Sequence, residues 1–202
     1  MFRIVCIAVG YLIGCIQSAY FVGKIWKVDI RTKGSGNLGT TNALRVLGKK
    51  AGAVTFVCDL MKSVAAFWIC MALFPEEGLI CGVLGSFGAV LGHDFPFYLK
   101  FKGGKGIAAS IGMMLCIGGP AALITYGIGI AGLCSRYVSV GSLCFIIPVP
   151  FVLGFLGYGP EITFVGALMA ILAVYQHKEN IIRLKNGNEN RLGQKRPNRE
   201  EV

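Results

Sequence analysis

The chain has 202 residues, 54% hydrophobic and only 15% charged, with a formal net charge of +10 and a mean hydropathy of +0.65. A soluble domain of this size carries about a quarter charged residues, so the composition excludes an ordinary soluble enzyme and indicates a polytopic membrane protein. The eight cysteines are scattered through apolar stretches without any C-x-x-C pair, so they read as small hydrophobes, and neither a metal nor a cofactor is expected.

In chain order, the first uncharged run, Ile4 to Gly23, is long enough to cross a ~30 Å hydrocarbon layer as a helix. A cleavable signal peptide would be followed by a soluble domain, whereas more apolar runs follow here. Next comes a basic block, Lys24, Lys27, Arg31, Lys33, Arg45, Lys49 and Lys50, matched by a second in the tail, Lys178, Arg183, Lys185, Arg191, Lys195, Arg196 and Arg199. Such blocks mark the cytoplasmic side and favour anionic lipid headgroups. Few aromatics interleave with them, so nucleic acid is not an expected partner.

The second apolar segment runs from about Ala51 to Phe74 and ends at the acidic connector Pro75-Glu76-Glu77-Gly78, which belongs outside. A third, Leu79 to Leu91, leads back to the lysine-bearing stretch His93 to Lys105 on the cytoplasmic side. The uncharged run Ile107 to Ser135 contains the breaker Gly118-Gly119-Pro120 and is expected to form two half-length helices. Tyr137 to Gly157 and Ile162 to Gln176 complete the set. The expected fold is an all-α integral membrane bundle of about seven transmembrane segments, two of them short. Its N-terminus lies outside and its C-terminus is cytoplasmic. The short pair keeps the cationic tail inside; a reversal within 137–176 would do so equally well.

The stretch GSGNLGTTNALR, residues 34–45, contains G-x-G-x-x-G at Gly34, Gly36 and Gly39. A dinucleotide site would need a strand before it and an acid about twenty residues on. Asp59 stands at that distance, but it lies in a membrane segment and no βαβ unit is available. What survives is the physics of glycine-rich backbone, whose N–H groups converge on an anion. Ser35, Asn37, Thr41 and Asn42 add polar side chains, and Arg45 can grip two phosphate oxygens in fork geometry. The stretch reads as a phosphate cradle at the membrane surface.

Residues 92–106, GHDFPFYLKFKGGKG, hold Lys105 among Gly103, Gly104 and Gly106. Gly106 replaces the Ser or Thr of a P-loop and Leu99 its first glycine, so ATP hydrolysis is not indicated. A lysine framed by glycines ahead of a helix again suits phosphate; a plain positive-inside loop is the competing reading. Residues 177–193, HKENIIRLKNGNENRLG, place His177, Asn180 and Arg183 at spacings of three, on one face of a continuing helix. A juxtamembrane amphipathic helix is the alternative. His93 and His177 are the two histidines of the chain, both at cytoplasmic helix ends. Ser139 and Ser142 begin a helix on the same face. Asp59 and Lys62, three apart within an apolar helix, are expected to pair with one another, with support of the site as their second reading.

The three stretches, in this order and spacing, resemble the signature motifs of the bacterial acyl-phosphate:glycerol-3-phosphate acyltransferases. The resemblance covers residues 1–193 as one membrane-embedded domain and leaves 194–202 as a charged cytoplasmic tail. It implies a multi-pass enzyme of the bacterial plasma (inner) membrane with a cytoplasm-facing active site. A fatty acyl group would pass from long-chain acyl phosphate to the 1-hydroxyl of glycerol 3-phosphate, giving lysophosphatidate and inorganic phosphate for phospholipid synthesis. The enzyme supplying acyl phosphate is a further candidate partner. The H-x-x-x-x-D pair of thioester-using acyltransferases is absent, because Tyr98 follows His93 by five and Ile182 follows His177 by five.

On this reading Gly34, Ser35, Gly36, Asn37, Thr41, Asn42, Arg45, His93, Gly103, Gly104, Lys105, Gly106, Ser142 and Arg183 bind phosphate. The assignment of loop to phosphate stays open. His177 and Asn180 serve catalysis, His177 as base or, with a substrate phosphate taking the proton instead, as a positioning group. Ser35 as a nucleophile is the weaker rival. A small phosphate or organophosphate transporter is the non-enzymatic alternative.

Overall fold

A computed structural model describes residues 1–193, which form helices and connecting turns with no strand; the expected tail 194–202 lies outside the described residues. Among the described residues, four stretches are long and apolar enough to cross a membrane: Phe2–Ile25, Lys49–Leu73, Leu79–Leu99 and Val138–Phe155. Three shorter apolar helices, Ile107–Ile117, Gly119–Leu133 and Pro160–Gln176, accompany them. The helices group into two compact units, Met1–Met113 and a second beginning at Met114.

The first unit contains α1 (Phe2–Gly14), α2 (Ser18–Ile25), α3 (Thr40–Leu47), α4 (Lys49–Leu73), α5 (Leu79–Asp94) and the start of α6 (Ile107–Ile117). At its centre stands α5, most of whose residues are buried. The reason is in its sequence, LICGVLGSFGAVLGHD, which repeats glycine every three or four residues. A methyl group at Gly88 or Gly92 would collide with the α1 backbone at Ile7 or Tyr11. Conversely, one at Gly10 or Gly14 of α1 would strike Gly85 or Ala89. On its other side α5 meets Phe67 and Cys70 of α4 through Gly82 and Gly85. Among apolar helices with little hydrophobic driving force between them, such small-residue seams supply the close van der Waals packing that holds a bundle together.

The first apolar run is not one continuous helix as its composition suggests, but breaks at Cys15–Gln17. The backbone groups released there are satisfied internally, as they must be where water is scarce. The Tyr98 hydroxyl donates to the Cys15 carbonyl at 2.8 Å, and the Lys62 ammonium donates to the Ile16 carbonyl at 3.0 Å. Gln17, wholly buried, donates its amide to the carbonyls of Gly92 and His93 at 3.3 and 3.0 Å. The break in one helix thereby caps the end of another.

The second unit comprises α7 (Gly119–Leu133), α8 (Val138–Ile146), α9 (Val149–Phe155), α10 (Pro160–Gln176) and α11 (Lys178–Lys185). The breaker at Gly118-Gly119-Pro120 acts as its sequence predicts, with Gly118 at φ +66° and a proline in the first turn of α7. Tyr137–Gly157, expected as one segment, is instead interrupted at Ile147–Pro148, because proline cannot donate within a helix. Gly129 and Gly132 of α7 pack on Phe145 and Cys144 of α8, and Gly166 of α10 packs on Val149 and Leu153 of α9.

The seam generates a test by substitution. Gly14→Ala forces a methyl into the Ala89 backbone, and overpacking of this kind costs about 1–3 kcal/mol. In contrast, nothing lies within 4 Å of a methyl added at Gly127 of α7. Thermal unfolding in detergent is expected to show a lowered Tm for Gly14→Ala and an unchanged or raised Tm for Gly127→Ala.

Candidate active site

The loop 26–39 is pinned from below by apolar side chains. Ile30 and Leu38 are 1% exposed and pack with Ala19 and Ala43, flanked by Tyr20, Leu47 and Leu99. Above this pin the chain turns twice in left-handed conformation, at Gly34 (φ +61°) and Gly36 (φ +73°), where a side chain would be strained. The first of these turns also has no room, since a methyl at Gly34 would strike the Asn42 carboxamide.

Asn42 is itself buried. Its Oδ1 accepts from the Ser35 N–H at 2.9 Å, while its amide donates to the carbonyls of Ile30 and Lys33, each at 3.2 Å. The residue expected to face phosphate therefore holds the loop together from inside α3. Ser35 is exposed, and Thr41 and Arg45 are half-buried on α3.

The second glycine loop is laid back over the end of α5. Its N–H groups at Gly103 and Gly104 donate to the carbonyls of Asp94 and His93, at 3.0 and 2.9 Å. The first loop is stitched to it at one atom, because the Asn37 side-chain amide donates to the Gly103 carbonyl at 3.2 Å and the Leu38 N–H reaches the same oxygen at 3.4 Å. Lys105 is half-buried between buried Gly104 and Gly106, immediately before α6. Two of the three sequence motifs are thus physically joined within the first unit. Contrary to the expected N–H cradle, the N–H groups of Ser35, Gly36, Gly103 and Gly104 are spent on bonds inside the protein, which leaves the side chains of Ser35, Arg45 and Lys105 as the groups for an anion.

Beneath these loops lies a charged cluster. Asp59 and Lys62 form the expected pair, Nζ to Oδ1 2.9 Å, with side chains 1% and 5% exposed. Two partners were not foreseen from sequence. Ser18 donates its hydroxyl to Asp59 Oδ1 at 2.8 Å, and His93 places Nδ1 2.7 Å from Lys62 Nζ. His93, expected at phosphate, is 3% exposed and lies so close to the second loop that a methyl at Gly104 would run into its Nε2.

In the second unit His177 forms the joint between α10 and α11 rather than a position on one continuing helix. Its Nδ1 lies 2.7 Å from the Ala173 carbonyl. A carbonyl can only accept, so Nδ1 carries a proton, and in the neutral form of the ring the lone pair lies on Nε2. Asn180 and Arg183 share a face of α11 as predicted, and both turn to Glu189, which sequence reasoning missed. Glu189 Oε1 accepts from Asn180 Nδ2 at 2.6 Å and from Ser139 Oγ at 3.0 Å, and Oε2 accepts from Arg183 Nε at 2.7 Å. The available signal was an acid isolated in a cationic, asparagine-rich segment. Ser142 is buried one turn beyond Ser139 on α8.

Burial by itself raises the Glu189 carboxyl, but the hydrogen bonds from Arg183, Asn180 and Ser139 outweigh it and hold the group below its ordinary value of 4.5. A depressed carboxyl contributes stability that is complete above the ordinary value and is lost as pH falls through the folded value. Acid titration of thermal stability in detergent is therefore expected to show a downward limb below about pH 4.5 for the wild type. Glu189→Gln is expected to flatten that limb and to start from a lower Tm at neutral pH.

Comparisons with known proteins agree with the motifs. A family model described as glycerol-3-phosphate acyltransferase matches residues 4–187. Relatives carrying that name include one from Endomicrobium trichonymphae, 41% identical over 95% of this chain and 96% of its own. Another, from Clostridioides difficile strain 630, is 39% identical over 96% of this chain and 97% of its own. Among solved structures, the chain is similar to the glycerol 3-phosphate form of PlsY (YgiH), an integral membrane glycerol 3-phosphate acyltransferase. The TM-score is 0.87 at 33% identity, covering 95% of this chain and 96% of that one. The lysophosphatidic acid form gives a TM-score of 0.84 at 32% identity, covering 95% of each chain. The chain belongs to the glycerol-3-phosphate acyltransferase family.

Proposed function

We propose that the protein transfers a fatty acyl group from acyl phosphate to the 1-hydroxyl of glycerol 3-phosphate, releasing lysophosphatidate and inorganic phosphate. The observation that carries this reading is the joining of two glycine loops at the Gly103 carbonyl in a chain of this family. The side chains of Ser35 and Arg45 bind phosphate from one loop and that of Lys105 from the other, while Gly34, Gly36, Gly103, Gly104 and Gly106 give the two loops their tight backbone course. Asn37 and Asn42 hold the first loop in shape. In the second unit Ser142, Asn180 and Arg183 are substrate-binding groups, and Glu189 orients the last two.

The substrate hydroxyl oxygen attacks the acyl carbonyl carbon. An ester C–O bond forms, the C–O bond to phosphate breaks, and phosphate departs with the electron pair. Acyl phosphate is activated already, so a covalent enzyme intermediate on Ser35 is unnecessary. His177 receives the hydroxyl proton at Nε2 or positions the hydroxyl while a substrate phosphate takes that proton. The second route is supported by the Nδ1 partner of His177 being a backbone carbonyl, which orients the ring without the added basicity a carboxylate would confer. The H-x-x-x-x-D pair used with thioester donors is missing, which supports acyl phosphate as the donor.

The membrane is the bacterial plasma membrane. Seven crossings, drawn from the four long and three short apolar stretches among the described residues, are supported by the positive-inside rule, which favours basic loops on the cytoplasmic side and the N-terminus outside.

The deciding assay offers radiolabelled glycerol 3-phosphate to purified protein with palmitoyl phosphate, palmitoyl-CoA or palmitoyl carrier protein. Labelled lysophosphatidate is expected with palmitoyl phosphate alone. Product from the thioesters would overturn the donor, and no product from any donor would overturn the reaction. Arg45→Ala is expected to stay membrane-integrated and to lose at least about 100-fold in kcat/KM; full activity in that variant would remove Arg45 from the cradle.

A further inference from the structure

A buried ion pair in a membrane bundle is expensive, because two charges lose their hydration. The arrangement around Lys62 shows what it secures. An ammonium has three N–H donors and no acceptor, and each of the three has its own acceptor here. Asp59 Oδ1 lies at 2.9 Å, the Ile16 carbonyl at 3.0 Å and His93 Nδ1 at 2.7 Å. Asp59 is held in turn by the Ser18 hydroxyl at 2.8 Å. The same ring nitrogen lies 3.4 Å from Asp59 Oδ1, but the nearer Lys62 Nζ at 2.7 Å can only donate, so Nδ1 accepts from it and the ring carries its proton on Nε2. That nitrogen is the one facing Gly104, where a methyl group would run into it. The same histidine accepts the Gly104 N–H at its carbonyl, 2.9 Å away.

We propose that Asp59 and Lys62 are positioning residues that fix His93 as its Nε2–H tautomer, so that a directed side-chain donor stands against the Gly103–Lys105 loop. On the acyltransferase reading above, this makes His93 part of that loop's phosphate recognition, and the buried pair acts on substrate only through it. His177 is the opposite case, with Nδ1 protonated by its bond to the Ala173 carbonyl. The two histidines of the chain thus carry opposite tautomers, one set by a lysine and the other by the backbone.

The test is ring nitrogen NMR of protein labelled with ¹⁵N-histidine in lipid nanodiscs, the two rings being assigned with His177→Asn. The wild type is expected to show the acceptor nitrogen of His93 at Nδ1 and that of His177 at Nε2. Asp59→Asn/Lys62→Met, which removes both charges together, is expected to abolish the His93 preference and leave His177 unchanged. In the acyl-transfer assay the same variant is expected to raise KM for one phosphate-bearing substrate about tenfold or more, with a smaller change in kcat. A wild-type His93 protonated at Nδ1 would overturn the proposal, whether neutral or imidazolium. So would a folded double variant with unchanged His93 signals and unchanged KM values. Should the double variant not fold, the wild-type spectrum still decides. The spectrum does not depend on turnover, so absence of acyl transfer in the wild type would count against the reaction and not against the tautomer.

Discussion

Backbone amide groups released inside a membrane bundle must find partners within the protein, and the first unit is organised around that demand. Its leading helix breaks at Cys15–Gln17, and its central helix ends at Asp94. The orphan carbonyls of both are met by the same small group of side chains. Tyr98 and Lys62 take the first set, and Gln17 takes Gly92 and His93. The N–H groups of Gly103 and Gly104 take the carbonyls of Asp94 and His93. The glycine loop proposed to bind phosphate is thereby docked on the end of the most deeply buried helix.

Polarity inside this unit follows from the same geometry. Glycines along α5 let α1 and α4 approach closely, and at the start of α2 side chains of α2, α4 and α5 meet, so Ser18, Asp59, Lys62 and His93 form one connected group. A lone Lys62 would be an uncompensated buried charge. With three acceptors it becomes a rigid donor, able to dictate the orientation of an imidazole.

The second unit solves a related problem with a carboxylate. Glu189 gathers Ser139, Asn180 and Arg183, tying the segment after α11 to α8 and fixing two side chains that would otherwise sample many rotamers. Arg183 also lies 3.6 Å from Glu179 in the preceding turn, an exposed contact of small consequence beside the buried one.

Legible in the residue order alone were the membrane class, the break at Gly118, the three motifs, the family they resemble and the Asp59–Lys62 pair. Each of these is a local signal: an uncharged run, a glycine–proline cluster, a spacing of three on a helix. The broken course of the first span was not legible, because Cys15-Ile16-Gln17 contains no breaker and is held open by residues far along the chain. Nor was the inward use of Asn42, the capture of His93 by Lys62, or the role of Glu189. Those depend on which distant donor meets which acceptor, a choice made only when the glycine seams bring helices into contact. Residue type set what each side chain could donate or accept; tertiary packing decided to whom.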